Sequence, residues 1–454
     1  MNCKLQKRGS LMEERENFDV LIRGGTLLTM SEDRAIIENP EIGIRDGEIC
    51  LLEHDKKAPS SNSAQEIIDA SGSIIMPGLI NTHTHLPMVA FRGLADDLTL
   101  MDWLHNHIFP VEAQFVNREM VYHSSLFSMA EMILSGTTTF CDGYFFEDAV
   151  AEAAIDGKMR GVPSQGFVDF PTSDIPDPER RVPVAEAFIE KWSDFSPLIN
   201  PALFCHAPYT CSPETLSTIK GIARTANVSF LIHCAETEGE VADIEKSYGN
   251  TPVRHLHSLG ILDEHTIAVH CVWLDDEEIQ ILADRGVRVS HNPESNMKLA
   301  AGIAPIPEML KRRITVGIGT DGAASNNNLD LLTEMDMAAK LHKVASMDPT
   351  VMDAQTVLKM ATIEGAKVLG LDDQVGSIEV GKRADIIVID CKKPHLTPIY
   401  NPYSHIVYSA SGADVSTSII DGRIVMKDRN LLTINLPDSL ERMNRLSKKI
   451  GGTR

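Results

Sequence analysis

The middle of the chain alternates short apolar runs with amphipathic stretches, and this alternation limits the possible folds more than any other feature. Between residues 77 and 371 the runs include PALFC, SFLI, TIAV, VRVS and TVGIG, and the amphipathic stretches include SPETLSTIKGIARTA and DDEEIQILADRG. Strands that alternate with helices predict βα units around a parallel sheet. We therefore predict an α/β fold in which residues 77–371 form a (β/α)8 barrel of the TIM type.

Both ends of the chain show a different pattern, of short strands broken by turns. Residues 18–76 break at Gly-Gly, Asp-Gly and Ser-Gly, which are hairpin signals, and residues 372–430 return to the same pattern. We expect these two segments to form one small β-sandwich domain. We expect residues 1–17 to be a disordered extension, with Met1 or Met12 as the true start, and residues 431–454 to form a charged terminal helix.

Charge and hydropathy exclude several classes of partner. The 454 residues carry a net charge of -22 at pH 7, which disfavours binding to nucleic acid and to anionic membrane surfaces. No window of about 18 uninterrupted apolar residues suggests a membrane span. The N-terminus is charged and lacks the apolar core of a secretory signal. We therefore expect a cytoplasmic protein that binds neither nucleic acid nor membranes.

Nearly every apolar run is followed by a polar side chain of a type that binds metals or moves protons. In chain order these residues are His83, His85, His206, His233, His270, His291 and Asp321. The carboxyl ends of the strands in a (β/α)8 barrel meet at one mouth, so we expect these side chains to lie close together. Packing alone does not explain histidines at the ends of so many separate strands.

The spacing of His83 and His85 suits a metal site only on a strand. Residues i and i+2 share one face of a strand, whereas on a helix they point about 200° apart. Two further pairs repeat the spacing in helix-like contexts, His105 with His107 and His255 with His257. We interpret these two pairs as surface or boundary histidines. Taken with His233 and Asp321, the pair of His83 and His85 is interpreted as part of a metal site.

Three imidazoles and one carboxylate, with room for water, form a borderline-hard site that suits zinc or ferrous iron. A metal in such a site lowers the pKa of its bound water toward about 7, which makes hydroxide available at neutral pH. The imidazoles must be neutral to bind the metal, so acidification should release it.

Six motifs follow one another in a recognisable order. They are PGLINTHTH, HAPYTCSPETL, IHCAETEGEV, VHCVWL, SHNPESNMKLAAGIAPI and GTDGAASNNNLDLL. They resemble the amidohydrolase superfamily and, more narrowly, the 5-methylthioadenosine/S-adenosylhomocysteine deaminases, over nearly the whole chain. The resemblance implies one divalent metal ion per subunit, zinc with iron as the alternative, and a homo-oligomer, either a dimer or a tetramer. The metal ligands that it implies are His83, His85, His233 and Asp321.

The resemblance also implies catalytic roles. Glu236 matches the family's proton shuttle, which protonates a ring nitrogen and later the leaving ammonia. His270 matches the histidine that hydrogen-bonds the metal-bound water, and Asp321 would accept the proton of that water. We interpret His291 and Asn292 as residues that support the mouth.

Two residues match positions that bind the substrate. His206 matches a residue that contacts the substrate, and Glu112 matches the carboxylate that binds the ribose hydroxyls. Without the resemblance, Glu112 would be interpreted as a helix surface residue. Trp103 either covers the purine or packs in the core, and these two alternatives stay open.

One candidate substrate-binding position, Gln165, departs from the pattern of the family. Some members carry an arginine there, which holds the homocysteine carboxylate. Arg180 and Arg181 could take over that role or belong to a solvated turn. The use of S-adenosylhomocysteine is therefore in question, and 5′-methylthioadenosine and adenosine are the competing substrates.

The implied function is hydrolytic deamination of an adenine nucleoside at its 6-amino group, with release of ammonia. The candidate substrates are 5′-methylthioadenosine, S-adenosylhomocysteine and adenosine. One alternative is a deaminase or chlorohydrolase of another N-heterocycle, of the guanine or triazine type. A second alternative is a non-catalytic nucleoside-binding protein.

Overall fold

The computed structural model describes residues 17–32, 36–53 and 63–452. The strands are β1 (Asn17–Arg23), β2 (Thr26–Leu28), β3 (Ile36–Glu38), β4 (Glu41–Arg45), β5 (Glu48–Glu53), β6 (Ser63–Asp69), β7 (Ser73–Pro77), β8 (Leu79–Thr84), β9 (Thr137–Tyr144), β10 (Arg160–Phe167), β11 (Ala202–Cys205), β12 (Phe230–Cys234), β13 (Thr266–His270), β14 (Arg288–His291), β15 (Val316–Ile318), β16 (Ile386–Asp390), β17 (Val415–Ile420), β18 (Arg423–Lys427) and β19 (Asn430–Leu431).

The α-helices are α1 (Leu100–Asp102), α2 (Phe109–Phe115), α3 (Arg118–Ser135), α4 (Glu147–Gly157), α5 (Arg181–Trp192), α6 (Pro213–Ala226), α7 (Glu238–Tyr248), α8 (Pro252–Ser258), α9 (Asp276–Asp284), α10 (Pro293–Lys298), α11 (Ile306–Lys311), α12 (Leu331–Ser346), α13 (Ala354–Met360), α14 (Ile363–Leu369), α15 (Pro402–Tyr408) and α16 (Leu436–Gly451). A π-helical stretch, Trp103–Ile108, joins α1 to α2, and short 3-10 turns lie at Leu86–Phe91, Pro178–Arg180, Pro394–Leu396 and Gly412–Asp414. None of the helices in the described ranges combines the length and apolarity needed to cross a membrane.

Strands β8 to β15 build a parallel barrel. They lie side by side in chain order, and among the residues that the structure describes they number eight. The last strand returns to the first, where a parallel bridge joins Thr84 to Asp321. Helices follow the strands and pack outside them, as α4 does against β10 and α6 against β11. The predicted (β/α)8 barrel is confirmed.

Side-chain hydrogen bonds close the seam between β8 and β15. The amide of Asn81 donates to Thr320 Oγ1 at 2.8 Å and accepts from the Thr320 backbone N–H at 3.1 Å. The backbone N–H of Asp321 donates to the His83 carbonyl at 3.0 Å. Gly319 allows this approach, because a Cβ there would lie 2.8 Å from the His83 backbone. The seam therefore brings Asp321 beside His83.

Both ends of the chain build the second domain. Its sheets have the orders β5-β4-β1-β6 and β19-β18-β17-β16-β7-β2-β3 over the described residues. Strand β16, from the C-terminal part, pairs antiparallel with β7, from the N-terminal part, with Val388 opposite Ile75. The two sheets share a hydrophobic cluster that includes Ile22, Ile42 and Ile386. The predicted sandwich built from both chain ends is confirmed.

The helix starts follow the capping residues in the sequence. Ser212 caps α6 by accepting from the Thr215 backbone N–H at 3.3 Å. Asp275 and Glu278 form a capping box at the start of α9. Such caps contribute about 1 kcal/mol each, so the stretches SPETL and DDEE fix where these helices begin.

The domain bounds at residues 76 and 371 stay a prediction, although β7 ends at Pro77 and β8 begins at Leu79. Of the predicted N-terminal extension, residues 1–16 lie outside the described residues, and Asn17 already begins β1. Helix α16 lies within the predicted terminal helix of residues 431–454.

Replacing Asn81 by alanine should destabilise the barrel. The Thr320 backbone N–H and hydroxyl would stay buried without their amide partner, so we expect a loss of about 1–3 kcal/mol in the free energy of unfolding. Urea denaturation followed by tryptophan fluorescence measures this loss. Asn444→Ala, at an exposed position on α16, is the control and should change the free energy by less than about 0.5 kcal/mol. Equal stability of the two variants would show that other contacts hold the seam.

Candidate active site

A cavity of about 530 Å³ opens at the carboxyl ends of the barrel strands. Residues at the carboxyl ends of β8, β9, β11, β12, β13 and β15, or just after them, form its floor. The helical segment of residues 100–115, which runs through α1, the π-helical stretch and α2, forms one of its sides. The lining includes His85, Trp103, Glu112, His206, His233, Glu236, His270 and Asp321, all of which the sequence analysis singled out.

Histidine nitrogens and a carboxylate converge on the floor. His83 Nε2 lies 3.1 Å from His233 Nε2 and 3.6 Å from Asp321 Oδ1, and His85 Nε2 lies 3.2 Å from Asp321 Oδ1. Zinc binds imidazole nitrogen at about 2.0–2.1 Å, so two ligand atoms of a tetrahedral site lie about 3.3 Å apart. The observed spacings fit one metal ion. One possible ligand atom from each of His83, His233, His270 and Asp321 also lies within 4.8 Å of the others.

Hydrogen bonds on the far side of the rings fix their orientation. His85 Nδ1 donates to the Gly143 carbonyl at 2.6 Å, and His270 Nδ1 donates to Asn296 Oδ1 at 2.9 Å. These partners leave Nε2 of each ring with its lone pair toward the floor. His206 Nδ1 lies 2.9 Å from Thr210 Oγ1. The floor therefore presents acceptor nitrogens, as a cation site requires.

Burial keeps most of these imidazoles neutral. It lowers the pKa of His83 to about 4 and that of His206 to about 3, and it lowers the pKa of His233 well below its usual value. Burial also acts to lower the pKa of His85, but the neighbouring Asp321 carboxylate outweighs it and raises that pKa. Neutral imidazoles are the form that binds a metal, so a cation would displace any proton on His85.

Two serines orient the Asp321 carboxylate. Ser295 Oγ donates to Asp321 Oδ2 at 2.6 Å, and Ser325 Oγ donates to the same oxygen at 2.9 Å. Oδ1 is thereby left facing the histidines. Burial would raise the pKa of Asp321, but the adjacent imidazoles of His83 and His85 hold that pKa well below its usual value. Asp321 is therefore ionised at neutral pH.

Glu236 is a buried carboxyl beside the histidine cluster. Its Oε2 lies 3.9 Å from His270 Nε2, and burial raises its pKa. Glu240 holds the loop that carries it, because its carboxylate accepts from the backbone N–H groups of Ala235 at 2.9 Å and Glu236 at 2.7 Å. A carboxyl with a raised pKa is able to donate and recover a proton near neutral pH.

Three residues at the strand ends have left-handed backbone conformations. Ala235, His270 and Asp321 have φ angles of 53°, 71° and 59°. Residues other than glycine rarely adopt this backbone conformation, and each one that does destabilises the fold by on the order of 1–3 kcal/mol. Hydrogen bonds compensate, among them the one from the Trp273 backbone N–H to the Ala235 carbonyl at 2.9 Å. The chain turns sharply at the points where it presents the polar side chains.

Glu112 lies on the side of the cavity, not on the protein surface. It is 8% exposed, and Oε1 accepts a hydrogen bond from the Tyr144 hydroxyl. Burial raises the pKa of Glu112 to about 7, against the opposing effects of Tyr144 and His85. The interpretation of Glu112 as a helix surface residue, made from the local sequence alone, is wrong. Trp103 is buried and lines the same cavity.

Gln165 is buried on β10, and it is not among the lining residues in the described chain. Its Nε2 donates to Asp174 Oδ2 at 2.9 Å. Arg180 and Arg181 are likewise absent from the described lining, and Arg181 Nη1 donates to Asp169 Oδ1 at 2.6 Å.

The remaining histidines lie away from the cluster. His291 is buried, with its Nε2 3.0 Å from His342 Nε2. His105 and His107 lie on the π-helical stretch, as their helix-like context predicted, and are not among the described lining residues. His255 is buried and its ring stacks on that of the exposed Tyr248, with centroids 4.1 Å apart, so of the two interpretations, surface or boundary, the surface one is wrong.

Several residues that orient the predicted site residues were not predicted from the sequence. Tyr144, Glu240, Asn296 and the serines at 295 and 325 contact the predicted residues through the hydrogen bonds given above. Tyr144 was open to detection, because it ends a strand-like run as the predicted histidines do. The others lie in helices or loops, where their residue types are common.

Comparisons with known proteins agree with this geometry. The sequence model of the amidohydrolase family matches residues 74–425. A relative from Syntrophobacter fumaroxidans, named 5-methylthioadenosine/S-adenosylhomocysteine deaminase, is 48% identical over 432 residues, which are 95% of this chain and 98% of the relative. A relative from Methanosarcina mazei, named 5′-deoxyadenosine deaminase, is 43% identical over 433 residues, which are 95% of this chain and 98% of the relative.

A solved structure, described as an adenosine deaminase from Xanthomonas campestris with bound zinc, superposes with a TM-score of 0.94 at 34% identity and covers 96% of this chain and 100% of that chain. The relatives' names agree with the narrower resemblance that the motifs indicated. The extent of these matches shows that the chain belongs to the amidohydrolase family.

Proposed function

We propose that the protein is a metal-dependent aminohydrolase that replaces the 6-amino group of an adenine nucleoside with oxygen and releases ammonia. The observation that carries this proposal is Glu236, a buried carboxyl with a raised pKa beside a cluster of buried histidines and an ionised aspartate. Hydrolysis of an aromatic C–N bond requires an acid that donates a proton, here Glu236, and a base that accepts one, here Asp321. The names of the relatives from Syntrophobacter and Methanosarcina support the same reaction.

The proposed metal ligands are His83, His85, His233 and Asp321. Three nitrogens and one carboxylate oxygen suit zinc, with ferrous iron as the alternative, and the related Xanthomonas structure is described with bound zinc. When bound, the metal would supply Lewis-acid activation of a water molecule at neutral pH.

The residues of the chain divide the proton transfers. The His270 ring donates from Nδ1 to Asn296, so its Nε2 is placed to accept a hydrogen bond from the attacking water. Asp321 Oδ1 accepts the proton that the water loses. Glu236 donates a proton to the ring nitrogen, which makes C6 open to attack. It then takes up the proton of the hydroxyl added at C6 and delivers that proton to the departing amino group as the C6–N bond breaks. The proton held by Asp321 finally restores Glu236. Water and the nucleoside are consumed, and the 6-oxo nucleoside and ammonia are formed.

Glu112 is proposed to bind the ribose. A carboxylate accepts two hydrogen bonds side by side, which matches the 2′- and 3′-hydroxyls of a nucleoside. Tyr144 holds Oε1 and fixes the direction of the carboxylate. His206 and Trp103 line the cavity and are proposed to contact the substrate. Gln165 is proposed to act through Asp174 instead of touching the substrate, which changes its predicted role.

Two rival functions are separated by a substrate panel. Ammonia or chloride release from a guanine or a triazine, without any from an adenine nucleoside, would favour another heterocycle hydrolase. Binding without turnover would favour a nucleoside-binding protein. A cytoplasmic location and assembly into a dimer or tetramer are part of the same proposal, and size-exclusion chromatography with light scattering tests the assembly.

Glu236→Gln should abolish most turnover while the metal stays bound. The amide cannot transfer protons, and loss of general acid–base catalysis costs about 10²–10⁴-fold in kcat. Ammonia release from adenosine measures kcat, and atomic absorption measures the metal. Glu238→Gln, exposed in the next helix, is the matched control and should keep both. A Glu236→Gln enzyme with near-normal kcat would remove this residue from the mechanism.

Asp321→Asn should weaken metal binding. The neutral amide removes the only anionic member of the proposed ligand set, so we expect zinc per chain to fall below that of the parent after dialysis against a weak chelator. Asp284→Asn, at an exposed position on α9, is the control. Full zinc occupancy in the Asp321→Asn variant would contradict the proposed ligand set.

Substrate binding should depend on the ionisation of Glu112. Because burial raises its pKa to about 7, the carboxyl is neutral at lower pH and must use one oxygen as a donor. Above about pH 7 it accepts from both ribose hydroxyls, so we expect the KM for adenosine to fall by about 5-fold or more between about pH 6 and about pH 8.

Two comparisons test the cause of this pH dependence. Glu112→Gln should have a high KM that changes little with pH, and 2′-deoxyadenosine should show a weaker dependence than adenosine on the parent enzyme. An equal fall in the KM of Glu112→Gln would assign the effect to another group near the cavity, such as His85.

A further inference from the structure

The side of the cavity that faces solvent differs in character from its floor. The floor carries acids and histidines, whereas the side nearer the mouth carries apolar and neutral polar residues. These are Phe109, Phe170, Pro171, Thr172 and Ser173, which we call the outer wall. The rings of Phe109 and Phe170 pack together with centroids 6.2 Å apart.

The solvent exposure of the side chains indicates that the outer wall lies between Glu112 and solvent. Glu112 is 8% exposed, Phe109 lies one helical turn before it and is half-buried, and Phe170 is 43% exposed. A nucleoside with its purine at the floor and its ribose on Glu112 would therefore direct its 5′ carbon toward the outer wall.

The cavity offers no cation to an anionic group. Within the described ranges no lysine or arginine lines it. Two basic residues that lie close to the cavity lining already form ion pairs with acidic side chains. Lys298 Nζ donates to Asp96 Oδ1 at 2.5 Å, and Arg181 Nη1 donates to Asp169 Oδ1 at 2.6 Å.

A carboxylate holds the loop that carries Phe170. Asp174 accepts from the Phe146 backbone N–H at 3.0 Å, from Gln165 Nε2 at 2.9 Å and from Thr172 Oγ1 at 2.7 Å. Gln165 is thus a positioning residue for the outer wall.

We propose, on the basis of the proposed deaminase function, that the outer wall selects nucleosides with a short neutral 5′ substituent. A hydrogen, hydroxyl or methylthio group can lie against Phe109 and Phe170. A 5′-phosphate or a terminal carboxylate would lose part of its hydration there without gaining a cationic partner, and partial desolvation of an unpaired charge is unfavourable.

The test measures kcat/KM for ammonia release from four nucleosides on the zinc-loaded, full-length protein. We expect 5′-methylthioadenosine to exceed adenosine 5′-monophosphate by at least about 100-fold, because the phosphate lies next to the ribose. We expect it to exceed S-adenosylhomocysteine by at least about 10-fold, since part of that longer tail can reach solvent. Adenosine, the fourth substrate, reports on the reaction itself.

A charge added to the outer wall should reverse the selection. In Phe170→Arg, the ratio of kcat/KM for the monophosphate to that for 5′-methylthioadenosine should rise by at least about 10-fold, because guanidinium pairs with phosphate. Ser173→Arg provides a second variant in case the first does not fold. Phe195→Arg, on an exposed phenylalanine outside the cavity, is the matched control and should leave the ratio unchanged.

The outcomes separate the two proposals. If adenosine is deaminated but the monophosphate is used within a few-fold of 5′-methylthioadenosine, the selection is overturned and the deaminase function stands. An unchanged ratio in both arginine variants also overturns the selection. Rapid use of S-adenosylhomocysteine that is lost in Arg180→Ala would assign the tail to that arginine and overturn the role of the outer wall. Ammonia from none of the nucleosides would overturn both proposals.

Discussion

The seam between β8 and β15 is the contact on which the site depends. It joins the first barrel strand to the last, which are more than 200 residues apart, through Asn81, Thr320 and the backbone of Asp321. Three of the four candidate metal ligands lie beside it, with His83 on β8, His85 directly after β8 and Asp321 after β15. A metal held across the seam would bind only the closed barrel, so its binding free energy would add to the stability of the fold.

The polar floor of the cavity destabilises the fold through strained backbones and buried polar groups, and nearby hydrogen bonds offset this effect. Ala235, His270 and Asp321 have left-handed backbones, and several histidines are buried without a counter-charge. Paired donors and acceptors compensate, since Ser295 and Ser325 hold Asp321 while Glu240 holds the loop of Glu236. The rigid strands below fix the positions at which these turns begin. Strain at functional positions is tolerated because the surrounding contacts determine the geometry.

The cavity changes in chemical character along its depth. Ionisable groups gather at the floor, where burial shifts their pKa values, and aromatic side chains occupy the side toward solvent. The floor comes from the barrel strands, whereas Trp103, Phe109 and Glu112 come from the helical segment of residues 100–115, and Phe170 comes from a loop. Changes in that segment or loop can therefore alter the substrate while the reaction stays the same, as is common for barrels of this type.

The sequence by itself determined the barrel, the sandwich from both chain ends and the set of strand-end residues, because strand and helix periodicities and capping residues are local signals. Motif resemblance added Glu236 and Glu112. Only the tertiary structure decided that Glu112 is buried, that Gln165 donates a hydrogen bond to Asp174 and that His255 is buried. It also decided that Ser295, Ser325, Glu240 and Asn296 contact the candidate site residues through hydrogen bonds. These facts depend on contacts between segments that are distant in sequence or on the direction of a side chain. Neither produces a periodic pattern in the amino-acid sequence.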